Sequence, residues 1–429
     1  MHLIALNLTD LLLALWRGTL DCGRTDDRES WDWAVLKDEV WREHGEDVAG
    51  TTSYLPGCLQ NPPRNPAEKM TSGYKAHEFL TYVFGLGPAL LRRRLPQKYW
   101  QHFCKLVFAI RILHQRKIAA EQLRQAHLRL IEFVLEYELL YYQRREDRLH
   151  FCRQSIHALT HLAPEVARLG PLVYYTQWTM ERTIGNLGEE IKQPSNPYQN
   201  LSQRGLRRSQ VNALKALVPE LDPDTVPPIR GSLDLGGGYI LLRAMDTCAR
   251  QTSISEAAAI LMYMGSCGED LTQWQAPRVT RWARLRLPNG QISRSLWKEQ
   301  LKTLDKIRIS RNVKIFYNGH YEFGEVQFFF RAQVQGKVVV LAVLSLFSRP
   351  DENVLQSSYN TVWLCKYQGD TALVVIEVTS ILSVVGMVAQ KQMLEYGVEG
   401  PCAVDYFVVE QSGLEVGLLS GESEDITEE

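Results

Sequence analysis

Two histidines four residues apart could together hold a metal ion. They are His157 and His161, in the stretch HALTHLAPEV. Side chains one helical turn apart lie on the same face, so two imidazoles at this spacing can ligate one Zn²⁺. His150, seven residues earlier, would share that face, and Cys104 is a further candidate ligand. The alternative is that these are ordinary histidines of a helix, and the spacing leaves it open.

A carboxylate, Glu181, follows twenty residues after the second histidine, in the stretch QWTMERTIGNLGEE. A carboxylate at the start of a helix can bind a divalent cation, because Mg²⁺ prefers hard oxygen ligands. The alternative is a surface glutamate paired with a neighbouring arginine or lysine. A second acidic candidate is the pair His77 and Glu78 in SGYKAHEFL. An ordinary helix start capped by Ser72 explains that pair better.

Charge is unevenly distributed along this chain of 429 residues, whose formal net charge is −1. Residues 1–50 carry 11 acidic and 5 basic side chains. The first basic block, residues 91–160, carries 14 basic and 6 acidic ones, and the second basic block, residues 278–314, carries 11 and 2. Two basic blocks in a neutral chain are typical of contact with a polyanion such as nucleic acid. Solvated helix faces are the alternative, so no individual DNA-binding residue is assigned.

The spacing of apolar residues predicts an α+β chain whose first half is mostly helical. Helices are predicted over residues 3–16, 147–161 and 176–191, and within 74–143. Six short β-rich runs beyond about residue 322, separated by turns, predict a small barrel or sandwich. The predicted segments are a helical part (1–218), a linker with a basic mixed segment (219–321), a small β-rich domain (322–412) and an acidic, disordered tail (413–429).

The sequence gives no sign of a membrane segment or of a disulfide framework. Its most apolar run, ALVVIEVTSILSVVGMVA, contains Glu377 and many β-branched residues, so it is typical of two strands. The eight cysteines are scattered and form no CxxC motif, which favours a reducing compartment. We therefore expect no membrane partner.

Several long stretches of the sequence together resemble one family of transposases. They include MHLIALNLTDLLLALWRGTLDC, NPPRNPAEKMTSGYKAHEFLTYVFGLGPALL, RLHFCRQSIHALTHLAPEV, QWTMERTIGNLGEEIKQPSNPYQNLSQRGLRR and RWARLRLPNGQISRS. These stretches are similar to CACTA-like transposases of the Plavaka type, found in basidiomycete fungi. The β-rich end, with FGEVQFFF and TVWLCKYQGDTALVVIEV, shares the resemblance. The resemblance thus extends over almost the whole chain.

The resemblance implies a fold, an activity and a set of site residues. Such transposases have an RNase H-like core whose Asp-Asp-Glu triad binds Mg²⁺ or Mn²⁺ for DNA cleavage and strand transfer in the nucleus. A helical insertion separates the second aspartate, just before a Met-His pair, from the glutamate, and an H-x3-H zinc motif precedes the glutamate. By position, Met1 and His2 match the Met-His pair, His157 and His161 match the structural zinc ligands, and Glu181 matches the catalytic glutamate.

The sequence departs from this family in one respect that bears on activity. Both aspartates of the triad would precede Met1, so of the three carboxylates only Glu181 is present. A two-metal site with one carboxylate cannot hold its ions. The resemblance thus implies the C-terminal part of a transposase, with a partial RNase H-like core, inactive alone, and with DNA and other transposase subunits as partners. The alternative is a non-catalytic DNA- or chromatin-binding protein.

Overall fold

A computed structural model describes residues 1–59, 61–70, 73–191, 195–221, 230–390 and 404–411. The chain is α+β: about half of the described residues are helical, and an antiparallel sheet occupies the C-terminal part. The α-helices are α1 (Thr9–Arg17), α2 (Asp38–Gly50), α3 (Pro66–Lys69), α4 (Ala76–Phe79), α5 (Gly87–Leu90), α6 (Gln97–Leu113), α7 (Ala120–Tyr137), α8 (Gln154–Leu169), α9 (Trp178–Glu190), α10 (Pro197–Leu217), α11 (Ile254–Ser266), α12 (Leu296–Glu299) and α13 (Glu352–Ser357).

Three of these helices form the centre of the helical part. Helix α7 buries Ala126, Leu130, Phe133 and Tyr137, which recur at steps of three and four residues and so form one apolar stripe. That stripe packs on α6, most of whose residues are buried, and α8 packs on α7. These four positions of α7 are therefore core positions.

Tryptophans of the N-terminal segment complete this core. Trp16 and Trp33 are fully buried, and the indole of Trp16 donates a hydrogen bond of 3.1 Å to the Tyr141 hydroxyl. Trp33 meets Tyr141 edge to face, with ring centroids 5.5 Å apart. Such edge-to-face pairs stabilise a core beyond their burial. The loop-rich segment after α1 is thus held by aromatic packing rather than by regular structure.

All paired strands are antiparallel, and most are short. They are β1 (Leu233–Asp234), β2 (Ile240–Met245), β3 (Arg250–Gln251), β4 (Arg278–Val279), β5 (Trp282–Arg286), β6 (Ile292–Arg294), β7 (Asn312–Tyr317), β8 (His320–Val334), β9 (Lys337–Leu346), β10 (Leu364–Lys366), β11 (Leu373–Glu377), β12 (Ile381–Val384), β13 (Gly386–Ala389) and β14 (Asp405–Val409). Seven of them, β1 to β7, lie in segment 219–321. The β-rich part thus begins well before residue 322.

The main sheet has nine strands, and its path runs β1-β2-β5-β8-β7-β12. The long strand β8 also pairs with β9, which pairs with β11, while β6 pairs with β5. The sequence predicted a small barrel or sandwich. No ladder joins β1 to β12 within the described residues, so no closed barrel is formed there. Instead the Tyr239 hydroxyl bridges the two ends, donating to the carbonyls of Thr379 (3.0 Å) and Ile381 (3.1 Å).

A smaller sheet, β10-β14-β13, joins the sheet region to the helical part. Its side chains Val388, Phe407 and Val409 belong to the same hydrophobic core as the helices. At Gly386 an added Cβ would lie only 3.1 Å from the Tyr54 carbonyl oxygen, so the two parts touch closely there. The helical part and the small sheet are therefore packed against each other.

Predicted and observed helix bounds agree in part. The helix predicted over 3–16 is confirmed, with a π-helical first segment (His2–Leu8) that continues into α1. The helix predicted over 147–161 is wrong at its start, because Glu146–Phe151 forms a 3₁₀ turn and α8 begins at Gln154. Ser72 and the tail 413–429 lie outside the described residues. Among those described, no helix combines the length and the apolarity that a bilayer crossing needs.

Candidate functional site

Helix α8 places the two histidines on its outer face. Its inner face buries Ile156, Leu159 and Val166, and the two histidines lie off this buried stripe. His157 and His161 are accordingly both exposed. They are not core histidines.

The rings of these two histidines stand close together. Their Nε2 atoms are 3.1 Å apart, and the ring centroids are 4.9 Å apart. Two nitrogens bound to one tetrahedral Zn²⁺ at Zn–N distances of 2.0–2.1 Å would lie roughly 3.3 Å apart. The pair His157 and His161 is therefore spaced as two ligands of a single zinc ion would be.

Further ligands for that ion do not converge within the described residues. His150 lies in the 3₁₀ turn before α8, and its Nε2 donates to the Asp21 carbonyl oxygen at 2.7 Å. Cys104 is buried in α6, and burial raises the pKa of its thiol to about 12. No cluster of three or more histidine, cysteine, aspartate or glutamate side chains suited to a metal occurs in the part of the chain that the structure describes. Within the described residues the pair His157 and His161 is thus not joined by a third candidate ligand.

Glu181 lies in the first turn of α9, as the sequence predicted for a carboxylate at a helix start. The partial positive charge of a helix N-terminus favours an anion there. The side chain is exposed, and it makes no hydrogen bond or ion pair with any described residue. The alternative of a glutamate paired with a nearby base is therefore not seen. No contact joins Glu181 to the two histidines in the described part of the chain.

The N-terminus of the chain meets the start of α9. The ring Nδ1 of His2 donates a hydrogen bond of 2.7 Å to Oε1 of Gln177, which is the N-cap residue of α9. Gln177 and Glu181 are one helical turn apart. The first residues of the chain therefore lie beside the helix that carries Glu181, although 175 residues separate His2 from Gln177.

Glu78 has a structural role. Its carboxylate is buried and accepts two hydrogen bonds of 2.7 Å from the Arg64 guanidinium. It also accepts one of 2.8 Å from the backbone N–H of Lys75 at the start of α4. Burial alone would raise the pKa of Glu78, but these hydrogen bonds hold it at about 2. His77 and Glu78 lie at the start of α4, so the prediction that this pair marks a helix start is confirmed.

The first basic block is largely neutralised within the fold. Three of its cations pair with glutamates of the same block: Lys105, Arg124 and Arg129. Five more pair with acids of residues 1–50: Arg94 with Asp47 and Glu43, Lys98 with Asp32, Arg145 and Arg148 with Asp26, and Arg153 with Asp10. The opposite excesses of charge in the two segments thus compensate each other.

The second basic block keeps cations without acidic partners. Arg294, Lys298 and Lys306 are exposed, and none has a carboxylate within 4.0 Å among the described residues. Arg294 is also directly opposite Arg284 in the β5–β6 ladder. These three residues, Arg294, Lys298 and Lys306, are together called the cationic edge below.

Sequence reasoning missed that most cations of the first basic block pair with carboxylates within the fold. A signal was present, because the acidic excess of residues 1–50 could have been matched to the basic excess of 91–160. Which acid meets which base, however, depends on contacts across more than a hundred residues, as between Asp26 and Arg148. No local pattern encodes such contacts.

Comparisons with known proteins neither support nor oppose these assignments. No family model matches the chain, and neither a curated protein nor a solved structure is significantly similar to it.

Proposed function

We propose that the chain is a transposase-derived protein that binds duplex DNA in the nucleus and does not cleave it by itself. In this proposal the helical part is a partial RNase H-like core with its helical insertion, and other transposase subunits are natural partners. The observation that carries DNA binding is the cationic edge, where exposed cations without carboxylate partners are available to phosphates.

The transposase descent is supported by two features of the candidate site. His2 contacts the N-cap of the helix that carries Glu181, which is the neighbourhood that the resemblance implies. His157 and His161 have the separation of two ligands of one zinc ion, as the H-x3-H motif requires. Zn²⁺ would have a structural role there, with the remaining ligands to be identified.

The lack of cleavage follows from the count of carboxylates. Two-metal catalysis needs several oxygen ligands to hold both ions. Glu181 is exposed, and no group of three metal-ligating side chains accompanies it among the described residues. We therefore expect no nicking of plasmid DNA with Mg²⁺ or Mn²⁺. Nicking that disappears in Glu181→Gln would overturn this part of the proposal.

Duplex binding is tested by fluorescence anisotropy over a range of salt concentrations. If three phosphates are neutralised by the cationic edge, the slope of log K against log salt is roughly −2.7, and affinity falls about 40-fold between about 50 and 200 mM salt. The variant Arg294→Gln/Lys298→Gln/Lys306→Gln should lose most of this slope.

A matched variant separates the edge from net charge. Lys98→Gln/Arg124→Gln/Arg153→Gln also removes three positive charges, but each of those cations is already paired with a carboxylate. It should keep most of the wild-type slope. Equal losses in the two variants, or no binding by wild type at low salt, would refute duplex binding at this edge.

A further inference from the structure

A cleft of about 590 Å³ lies where the segment after α6 faces strands β7 and β14. Its size falls within the range of about 300–1,000 Å³ that is usual for ligand sites. Four bases line it (Arg111, Arg116, Lys117 and Lys314), against one acid, Glu410. Both basic blocks contribute to this junction cleft, so cations far apart in the sequence share one concave surface.

Two of the four cations are committed to the fold. Arg111 donates to the backbone carbonyls of Phe84 (3.0 Å), Gly85 (3.0 Å) and Thr361 (2.7 Å), so it ties the helical part to the sheet region. Lys314 donates to Glu410 at 2.7 Å, and its charge is thereby compensated. Neither side chain is available to a ligand without breaking these bonds.

Arg116 and Lys117, in contrast, are not committed to bonds within the fold that the structure describes. The Nε and Nη2 atoms of Arg116 are buried, and neither has a hydrogen-bond acceptor among the described residues. A buried donor without an acceptor is costly, and an entering anion would remove that cost. Lys117 is exposed and has no carboxylate partner in the described part of the chain. An anionic oxygen in the cleft would therefore meet two cations that give up no existing bond.

Exposed aromatic rings stand beside these cations. Tyr321 lines the cleft and is 56% exposed, and Phe316 beside it is 49% exposed. Their ring centroids are 5.5 Å apart, in an edge-to-face arrangement. Nucleobases stack on such rings only when they are unpaired, because a duplex keeps its base faces covered. Lys314 Nζ lies over one face of the Tyr321 ring, 4.9 Å from its centroid, and the ring is still more than half exposed. Cations next to such a ring favour a single strand over a duplex.

We propose that the junction cleft binds single-stranded nucleic acid. A phosphate would accept hydrogen bonds from Arg116 and Lys117, and a base would stack on Tyr321. This inference rests on the proposed function and deepens it, because it assigns a second site with a different form of the ligand. Duplex DNA belongs to the cationic edge, and an unpaired strand belongs to the cleft.

The test measures anisotropy of labelled oligothymidine and oligouridine of about 12 nucleotides, beside a duplex of equal length. Arg116→Gln/Lys117→Gln should reduce the salt slope for both single strands by about 1.4, from two lost phosphate contacts. Tyr321→Ala should weaken single-strand binding at least about fivefold, from one lost stacking contact. All three substitutions should leave duplex binding unchanged.

Controls keep each outcome decisive. Arg42→Gln/Arg168→Gln removes two exposed cations that do not line the cleft, and it should not alter single-strand binding. If the Arg116 variant loses thermal stability, Lys117→Gln and Tyr321→Ala carry the test, since both side chains are exposed. Unequal binding of the two oligonucleotides would identify DNA or RNA as the preferred ligand within the proposal.

Failure of this inference is distinct from failure of the proposed function. Wild type that binds duplex, with single-strand binding unaffected by the cleft variants, overturns the cleft and leaves the cationic edge. Wild type that binds only single strands, sensitive to the cleft variants, overturns the edge and supports the cleft. Binding to neither ligand overturns both.

Discussion

Replacing Asp26 with alanine tests whether Arg148, the buried cation of the first basic block, serves the fold rather than duplex binding. The Asp26 carboxylate is fully buried and accepts hydrogen bonds from Arg148, Nε to Oδ2 at 2.8 Å and Nη2 to Oδ1 at 2.6 Å. Arg148 itself is 1% exposed. Burial alone would raise the pKa of Asp26, but the hydrogen bonds from Arg148 and Trp31 and the nearby positive charges hold it below its usual value.

The expected cost follows from this burial. Removing one partner of a buried ion pair typically costs about 3–5 kcal/mol, because the other charge stays in the interior unpaired. In Asp26→Ala, Arg148 would keep its hydrogen bond to Gln143 and its stacking on the Trp33 ring. We therefore expect about 3 kcal/mol, the lower end of the range. The exposed pair of Arg42 and Glu39 sets the comparison, since solvent screens that pair and Arg42→Gln should cost far less than Asp26→Ala.

Equilibrium unfolding in guanidinium chloride, followed by tryptophan fluorescence, measures both variants. The duplex-binding salt slope of folded Asp26→Ala should equal that of wild type, because Arg148 lies in the core. A loss of stability no larger than that of Arg42→Gln would refute the charge compensation between residues 1–50 and 91–160. A changed duplex-binding salt slope in Asp26→Ala would show that Arg148 or its neighbours contact duplex DNA.

Two further predictions concern histidines. Equilibrium dialysis against Zn²⁺ followed by elemental analysis should find zinc in wild type and in His150→Ala but not in His157→Ala/His161→Ala; well-folded wild type without zinc would contradict the site. Burial lowers the pKa of His44 and of His102 to about 3, so both stay neutral in the folded chain at pH 5. Unfolded histidine protonates near pH 6.5, so stability should fall by about 1.4 kcal/mol per histidine for each pH unit between about 6 and 4. Urea titrations of wild type and His102→Gln check this, since the variant should lose the part of the slope that one histidine contributes; equal slopes would contradict it.

The helical half was predictable because its pattern is local. In α7 the apolar residues Ala126, Leu130 and Phe133 recur at helical spacing, and each is fully buried. Spacing likewise placed His157 and His161 on one face of a helix, and a short distance between their rings follows from helix geometry. Glu181 at a helix start is a similar local inference.

The sheet between residues 233 and 317 was not predictable in the same way. Strand β5 alternates as WARLR, but Arg284 and Arg286 belong to the second basic block, whose charge indicates contact with a polyanion. The neighbouring strand β6 has only three residues, too few for a recognisable pattern. Pairing with the distant strand β8, through Trp282 and Phe329, gives β5 its place. The predicted start of the helix over 147–161 was wrong for a related reason. Arg148 pairs with Asp26, which lies 122 residues away in the sequence.

The small sheet β10-β14-β13 has a consequence for the order in which the chain becomes structured during synthesis. Phe407 and Val409 lie in the same hydrophobic core as α6 and α7, yet they are translated about 300 residues after α6. Translation proceeds at about 5–20 residues per second, so the helices wait on the order of 15–60 seconds for these side chains. The nascent helical half therefore presents an unfilled apolar surface for that time, and a chain stopped before β14 keeps it open permanently. Such a product is a natural client for chaperones.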